Sequence, residues 1–167
     1  MPDNLAIIKK IGDEHQHISR HVKLVGDTVS DNEALSALEQ VSADWIPGQL
    51  NIIVDKQNRL MQTISLLNEG LKNHFAFEEE YLPPLLGELF MQALLLDHQE
   101  IRKEIEEAKS LVAKNKIEEL DREQLLARES DVQQAMNSLC HLIEEHANRE
   151  AVILDMAQRA LKVNKKK

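Results

Sequence analysis

The spacing of apolar residues constrains this chain most, because they recur at alternating steps of three and four along four separate stretches. Such spacing puts them on one face of an α-helix, which turns once in about 3.6 residues. The four stripes run from Leu5 to Val29, Leu60 to Leu85, Met91 to Val112 and Ala135 to Ala160. The pattern predicts an all-α, up-down-up-down four-helix bundle with extra short helical connections.

Composition and length agree with this fold. Five Gly, four Pro and 3% aromatic residues leave few of the residues that sheets and tight turns favour. A chain of 167 residues suits one domain. We therefore expect a single domain over residues 1–167, with a core over about 3–160 and a basic tail over 163–167.

Charge and cysteine content narrow the possible partners. The net charge of -9 opposes binding to nucleic acid. No apolar stretch approaches the roughly 18 residues of a membrane span, and the amino end has no signal-peptide core, so we expect a cytoplasmic protein without a membrane partner. Cys140 is the single cysteine, so a metal here would bind through nitrogen and oxygen. Oligomeric state stays open.

Local signals predict the breaks between the helices. They are Ser30-Asp31-Asn32 after the first stripe, Pro83-Pro84 with Gly87 after the second, and a capping box of Ser130 and Gln133 before the fourth. Segments 31–47, with Trp45, and 115–129 follow the stripes least. They are either short helices or extensions of their neighbours.

Polar residues interrupt all four stripes at positions that face the core. They are His15, His74, Glu78, His98, His146 and Glu150, which are called the seam residues below. An unpaired polar group in a dry core costs roughly 2–7 kcal/mol, and a carboxylate costs more. Their distances from the predicted connections place the four histidines at equal depth in an up-down-up-down bundle. Six such residues in one layer predict a metal site.

Two of the stripes carry the pattern His-x-x-x-Glu, at His74 with Glu78 and at His146 with Glu150. A spacing of four puts both side chains on one helix face, so each pair can hold an ion. Two such pairs suit a dinuclear site better than a single ion. Imidazole and carboxylate ligands favour iron, with manganese and zinc as alternatives. The competing interpretation is a set of core histidines satisfied by neighbouring carboxylates.

These residues resemble the hemerythrin-like, or HHE cation-binding, domain family. The resemblance covers about residues 10–155. Its motifs are Glu14-His15-x-x-Ile18, His74-Phe75-Ala76-Phe77-Glu78-Glu79 followed by Pro83, Asp97-His98-x-x-Ile101, and Glu145-His146-x-x-x-Glu150. The resemblance implies that the six seam residues bind two Fe ions, with the glutamates bridging them beside an oxo or hydroxo group.

The resemblance also implies a function. The chain has Arg102 and Ala151 where oxygen-carrying hemerythrins have a further histidine and an aspartate. The paired motif is more similar to the bacterial and regulatory branch, whose members are associated with oxygen, nitric oxide or iron handling. We expect a binding protein that binds or senses oxygen or another small diatomic such as nitric oxide. The alternatives are a stress-response enzyme, for nitric oxide or peroxide reduction or iron delivery for cluster repair, and a purely structural metal site.

Several further residues lie close to the proposed ligands. His17, His21 and His141 fall outside the stripes and are predicted to lie on the surface. Tyr81 either packs its ring in the core or reaches the centre as a hydrogen-bond donor or as a further ligand. Glu79 is predicted to be solvated. Glu14, Asp97 and Glu145 each precede a proposed ligand and can support histidines only across helices.

Overall fold

The computed structural model describes residues 3–29, 47–114 and 117–164, and this part of the chain is almost entirely helical and has no strand. Helix α1 spans Asn4–Val29, α2 spans Pro47–Tyr81, α3 spans Pro83–Ala113 and α4 spans Arg122–Asn164. A short 3-10 helix, Ile117–Glu119, lies between α3 and α4. The prediction of an all-α chain with four long helices is confirmed.

Each long helix packs chiefly against two others, since α1 and α3 both contact α2 and α4. The buried apolar residues form two main clusters. The larger cluster includes Val25, Ile64, Ile105 and Leu139, and the smaller includes Ile11, Leu82, Leu94 and Leu154. On α1, α3 and α4 the polar seam residues fall between the stretches that supply these two clusters, and on α2 Glu78 lies between Phe75 of the larger cluster and Leu82 of the smaller. Apolar packing therefore fixes the polar layer from both sides.

The connection between α2 and α3 is very short. Only Leu82 separates the two helices, and its N–H donates to the Glu78 carbonyl at 2.9 Å. Pro83 and Pro84 occupy the first positions of α3. Backbone N–H groups there have no partner within the helix, so proline costs no hydrogen bond. Gly87 then interrupts α3 with φ 77° and ψ 170°, a conformation that suits glycine. The predicted break is confirmed, although Leu85 of the second stripe belongs to α3.

Helix α4 begins earlier than the sequence predicts. Its capping box is formed by Asp121 and Gln124: the Gln124 N–H donates to Asp121 Oδ1 at 2.8 Å, and the Asp121 N–H donates to Gln124 Oε1 at 3.0 Å. The prediction of a capping box at Ser130 is wrong, because Ser130 lies inside α4. Toward its N-terminus the buried face of α4 extends back to Leu125, but it is interrupted by Glu129, whose buried carboxylate pairs with Lys56.

The segments predicted to be least regular are only partly described. Segment 115–129 contains both the 3-10 helix and the first turns of α4, as predicted. Pro47 begins α2, whereas Trp45, Ser30-Asp31-Asn32 and Lys165 to Lys167 lie outside the described residues. Across 3–29, 47–114 and 117–164, no helix is both long enough and apolar enough to cross a membrane.

Candidate metal centre

All six predicted seam residues meet in one layer of the structure. His15 comes from α1, His74 and Glu78 from α2, His98 from α3, and His146 and Glu150 from α4. The rings of His15 and His74 lie 4.8 Å apart between centroids, and those of His98 and His146 lie 5.0 Å apart. The structure therefore brings together every residue that the stripes marked.

The layer is closed to solvent, with one partial exception. Glu78, His98 and Glu150 are fully buried, and His74 and His146 are each 3% exposed. The His15 side chain is 15% exposed. Because water barely reaches this site, charges there are poorly solvated. They must be balanced by the opposite charge of neighbouring side chains or of a bound ion.

The Glu78 carboxylate is shared by histidines of three helices. Its Oε1 atom lies beside Nε2 of His74 and 3.6 Å from Nε2 of His15. Its Oε2 atom lies 3.1 Å from Nε2 of His98. The two oxygens thus face different histidines, which is the arrangement that a bridging carboxylate requires.

Glu150 approaches the layer from the opposite helix. Its Oε2 atom lies 3.3 Å from Nε2 of His15 and 3.5 Å from Nε2 of His146, one helical turn earlier on α4. The side chains form two potential ligand groups, within each of which the donor atoms lie no more than 4.8 Å apart. One group consists of His15, His74, Glu78 and Glu150. The other consists of Glu78, His98 and His146.

The inward atoms of the layer have no hydrogen-bond partners within the described part of the chain. They are Nε2 of all four histidines and both carboxylate oxygens of Glu78 and Glu150. The nitrogens lie close to the oxygens but are not aligned for hydrogen bonding. Buried polar groups are almost always satisfied in native proteins, so a cluster of orphaned atoms needs an explanation. A cation at the centre would use these nitrogen and oxygen atoms, and the residues present fit one.

The pKa shifts of the buried carboxylates and of His15 also fit a site for a cation. Burial would raise the pKa of Glu78, but His15, His74 and His98 hold it well below its usual range. Burial and the negative charge of Glu78 raise the pKa of Glu150, although His15 opposes that increase. Burial would lower the pKa of His15, but Glu150 and Glu78 raise it to about 9. The two buried carboxylates thus favour protonation of a neighbouring histidine, and bound metal ions would supply that positive charge instead.

Three of the histidines are oriented by a carboxylate on the adjacent helix. Nδ1 of His74 lies 2.7 Å from Glu14 Oε2 of α1. Nδ1 of His98 lies 2.8 Å from Glu79 Oε1 of α2, and Nδ1 of His146 lies 3.0 Å from Asp97 Oδ2 of α3. A carboxylate on Nδ1 turns Nε2 inward and makes it more basic, as around histidines that bind metal.

Each orienting carboxylate also contacts a cation on the surface. Arg102 donates to Glu79 at 2.9 Å, and Arg149 donates to Asp97 at 2.8 Å. Lys10 lies 3.8 Å from the Glu14 carboxylate. Arg102 therefore supports the carboxylate partner of His98. Arg102 and Arg149 favour the charged form of the carboxylates that they contact. The pKa of Glu79 is lowered by His98 and Arg102, and that of Asp97 by Arg149 and His146, in both cases against the effect of burial.

The predictions for residues near the site have mixed outcomes. Glu14 and Asp97 support histidines across helices, as predicted. Glu145 does not, because it contacts His141 at 3.3 Å and Arg149 at 3.9 Å. Glu79 is partly solvated, with 31% of its side chain exposed, but the prediction missed its hydrogen bond with Nδ1 of His98. The only sequence signal for this contact is that Glu79 directly follows the proposed ligand Glu78.

The remaining predictions concern residues around the layer. Tyr81 packs its ring 4.6 Å from Phe77 in the smaller core cluster, as expected for a packing role. Phe75 is fully buried and stacks on His98 with centroids 3.9 Å apart. His17 and His141 are exposed, and Nδ1 of the half-buried His21 contacts the His17 carbonyl. None of these three histidines belongs to either ligand group.

A scan against protein-family models and searches of curated proteins and solved structures give no match to this chain.

Proposed function

We propose that this protein is a metal-binding helical bundle whose central layer holds two ions. The observation that carries the proposal is the set of buried, partnerless Nε2 and carboxylate atoms on six residues of four helices. Two ligand groups that share Glu78 support two ions better than one. His15, His74, Glu78 and Glu150 would hold one ion, and His98, His146 and a second oxygen of Glu78 would hold the other.

We propose an up-down-up-down course for the four helices. The smaller core cluster draws on the start of α1, the end of α2, the start of α3 and the later part of α4. The larger cluster draws on the opposite part of each helix. This alternation supports antiparallel neighbours, and it matches the resemblance to hemerythrin-like domains.

Iron is the metal that we propose. The donor set contains imidazole and carboxylate and no thiolate, because Cys140 lies beside the Val22 carbonyl and burial raises the pKa of its thiol to about 11. Four nitrogens and four oxygens divided between two ions leave coordination positions free on metals that accept about six ligands. Two iron ions would supply redox chemistry and an open position for a small diatomic molecule. We therefore propose binding or sensing of oxygen or nitric oxide.

Metal analysis of protein purified without a chelator or a histidine tag tests this function. We expect about two irons per chain and visible absorption that changes between reduced and oxidised protein and on adding azide or nitric oxide. Zinc, or no metal in a folded sample, would overturn the gas chemistry. Zinc would leave a structural role for the site.

Single substitutions test the ligand assignment. His74→Ala and Glu150→Ala should lose metal, because each removes a donor from the closed layer. His17→Ala and His141→Ala are matched controls on α1 and α4 and should retain it, since both histidines are exposed. Loss of metal in the controls, with retention in the first pair, would refute the assignment.

A further inference from the structure

One side of the metal layer differs from the other three. The α1–α2 side is closed by Glu14 on His74, the α2–α3 side by Glu79 on His98, and the α3–α4 side by Asp97 on His146. Each of these carboxylates has a basic side chain outside it. Three sides of the layer are therefore covered by charged pairs.

The α1–α4 side contains a cavity of about 380 Å³ with His15 at its inner end. Its walls include Gln16 and Ser19 of α1 and Ala147, Asn148 and Ala151 of α4. Ala151 is exposed, so the cavity opens to solvent there. A water molecule occupies about 30 Å³ in the liquid, so the space accepts several waters or a small ligand.

The identity of residue 151 explains why this side is open. Glu79 follows Glu78 directly and reaches His98 on the neighbouring helix. Ala151 follows Glu150 in the same way and lines the cavity at His15, but its methyl group cannot accept a hydrogen bond. Among the described residues, no carboxylate hydrogen bonds to Nδ1 of His15. The covering found on the other three sides is thus missing here.

His15 is also the most accessible member of the layer. Its side chain is 15% exposed, compared with 2% for His74, 3% for His146 and 0% for His98. Its inward Nε2 atom is nevertheless buried. His15 therefore lies between an open cavity and the closed centre.

We propose that this cavity is the route by which small ligands of two or three atoms, and the metal itself, reach the centre, with His15 as the inner gate. The proposal rests on the proposed metal-binding function. The route does not depend on which gas the centre binds, since it follows from the space between α1 and α4.

Filling the mouth of the cavity tests the route. The variants are Ala151→Leu, which adds bulk, and Ala151→Glu, which adds bulk and an acceptor for His15. The control is Ala93→Leu at an exposed position of α3, where the same atoms are added outside the cavity. Leucine is nearly as good a helix former as alanine, so neither helix should be disturbed.

The measurements are the rate at which a chelator extracts iron from reduced, iron-loaded protein and the rate at which azide binds the oxidised form. Both rates should fall about tenfold or more in the two Ala151 variants, within the range by which substitutions change association rates, and stay within about twofold in Ala93→Leu. Asn148→Ala should widen the cavity and increase both rates.

The outcomes separate the route from the function on which it rests. Equal rates in wild-type protein, Ala151→Leu and Asn148→Ala, all loaded with iron, would overturn the route and leave the metal site intact. An equal slowing by Ala93→Leu would overturn it too. If the Ala151 variants do not fold, unchanged rates in Asn148→Ala would by themselves overturn the route. A wild-type chain that takes up no metal would refute both proposals.

Discussion

Removal of the carboxylate that orients His146 should weaken metal binding without removing a ligand. Asp97 Oδ2 lies 3.0 Å from Nδ1 of His146 and 2.8 Å from the Arg149 guanidinium. Asp97 is about three-quarters buried by side-chain surface, so water replaces its interaction poorly. Asp97→Asn keeps an acceptor but removes the charge, whereas Asp97→Ala removes both.

The size of the effect follows from this one hydrogen bond. A hydrogen bond to a charged partner contributes about 1.5–3 kcal/mol. Since every 1.4 kcal/mol is about tenfold in affinity, the loss of this bond predicts a decrease of about 10- to 100-fold. The same range is typical when residues that orient metal-binding histidines are replaced. We expect about tenfold for Asp97→Asn and nearer 100-fold for Asp97→Ala, again from this range.

Anaerobic competition between the protein and a chromophoric iron chelator would measure this affinity, with circular dichroism as a check on folding. Glu145→Gln is the matched control. Glu145, like Asp97, directly precedes a proposed ligand and contacts Arg149. Within the described part of the chain its ion pairs are with His141 and Arg149 and not with any of the six seam residues. Wild-type affinity in Asp97→Ala, or an equal loss in Glu145→Gln, would refute the reasoning.

Two further predictions concern stability. Asp121→Ala should lower the free energy of unfolding by about 0.5–2 kcal/mol because it removes the α4 cap, whereas Ser130→Ala should change it by less than about 0.5 kcal/mol. Urea unfolding measures both, and a larger effect at Ser130 would contradict the assigned cap. In chelator-stripped protein, His15 has a pKa raised to about 9, so its contribution is full below about pH 6.5 and is lost as the pH rises through about 9. Unfolding at pH 6.5 and 9.5 should show a loss of stability that is smaller in His15→Gln, since the pKa of His74 is raised too and His74 still contributes. Equal losses in the two proteins would exclude His15 as a source.

The helices and their inward faces could be predicted from the sequence because both are local properties. Apolar spacing marks the buried face of each helix, and a polar residue in that spacing is visible without knowledge of its neighbours. The start of α4 was missed for a physical reason. Glu129 interrupts the apolar stripe, and only the fold shows that Lys56, more than seventy positions earlier, neutralises it.

The orienting residues around the site were less predictable. Glu79 and Glu145 are both acidic, both lie next to a proposed ligand and both stand on amphipathic helices. Glu79 faces His98 across the α2–α3 side, whereas Glu145 points along α4 toward Arg149. Which side of a helix meets a neighbour depends on how the helices are rotated and packed, and periodicity alone does not give that rotation.

The sequence by itself determined an all-α chain with six polar residues on the inner faces of its helices, because helical periodicity ties side-chain direction to position. Tertiary packing decided the rest. It joined His15, Glu78 and Glu150 from three helices, placed a carboxylate against Nδ1 of His74, His98 and His146, and left a cavity beside Ala151. These features depend on distances between helices, which arise only when the apolar faces pack together.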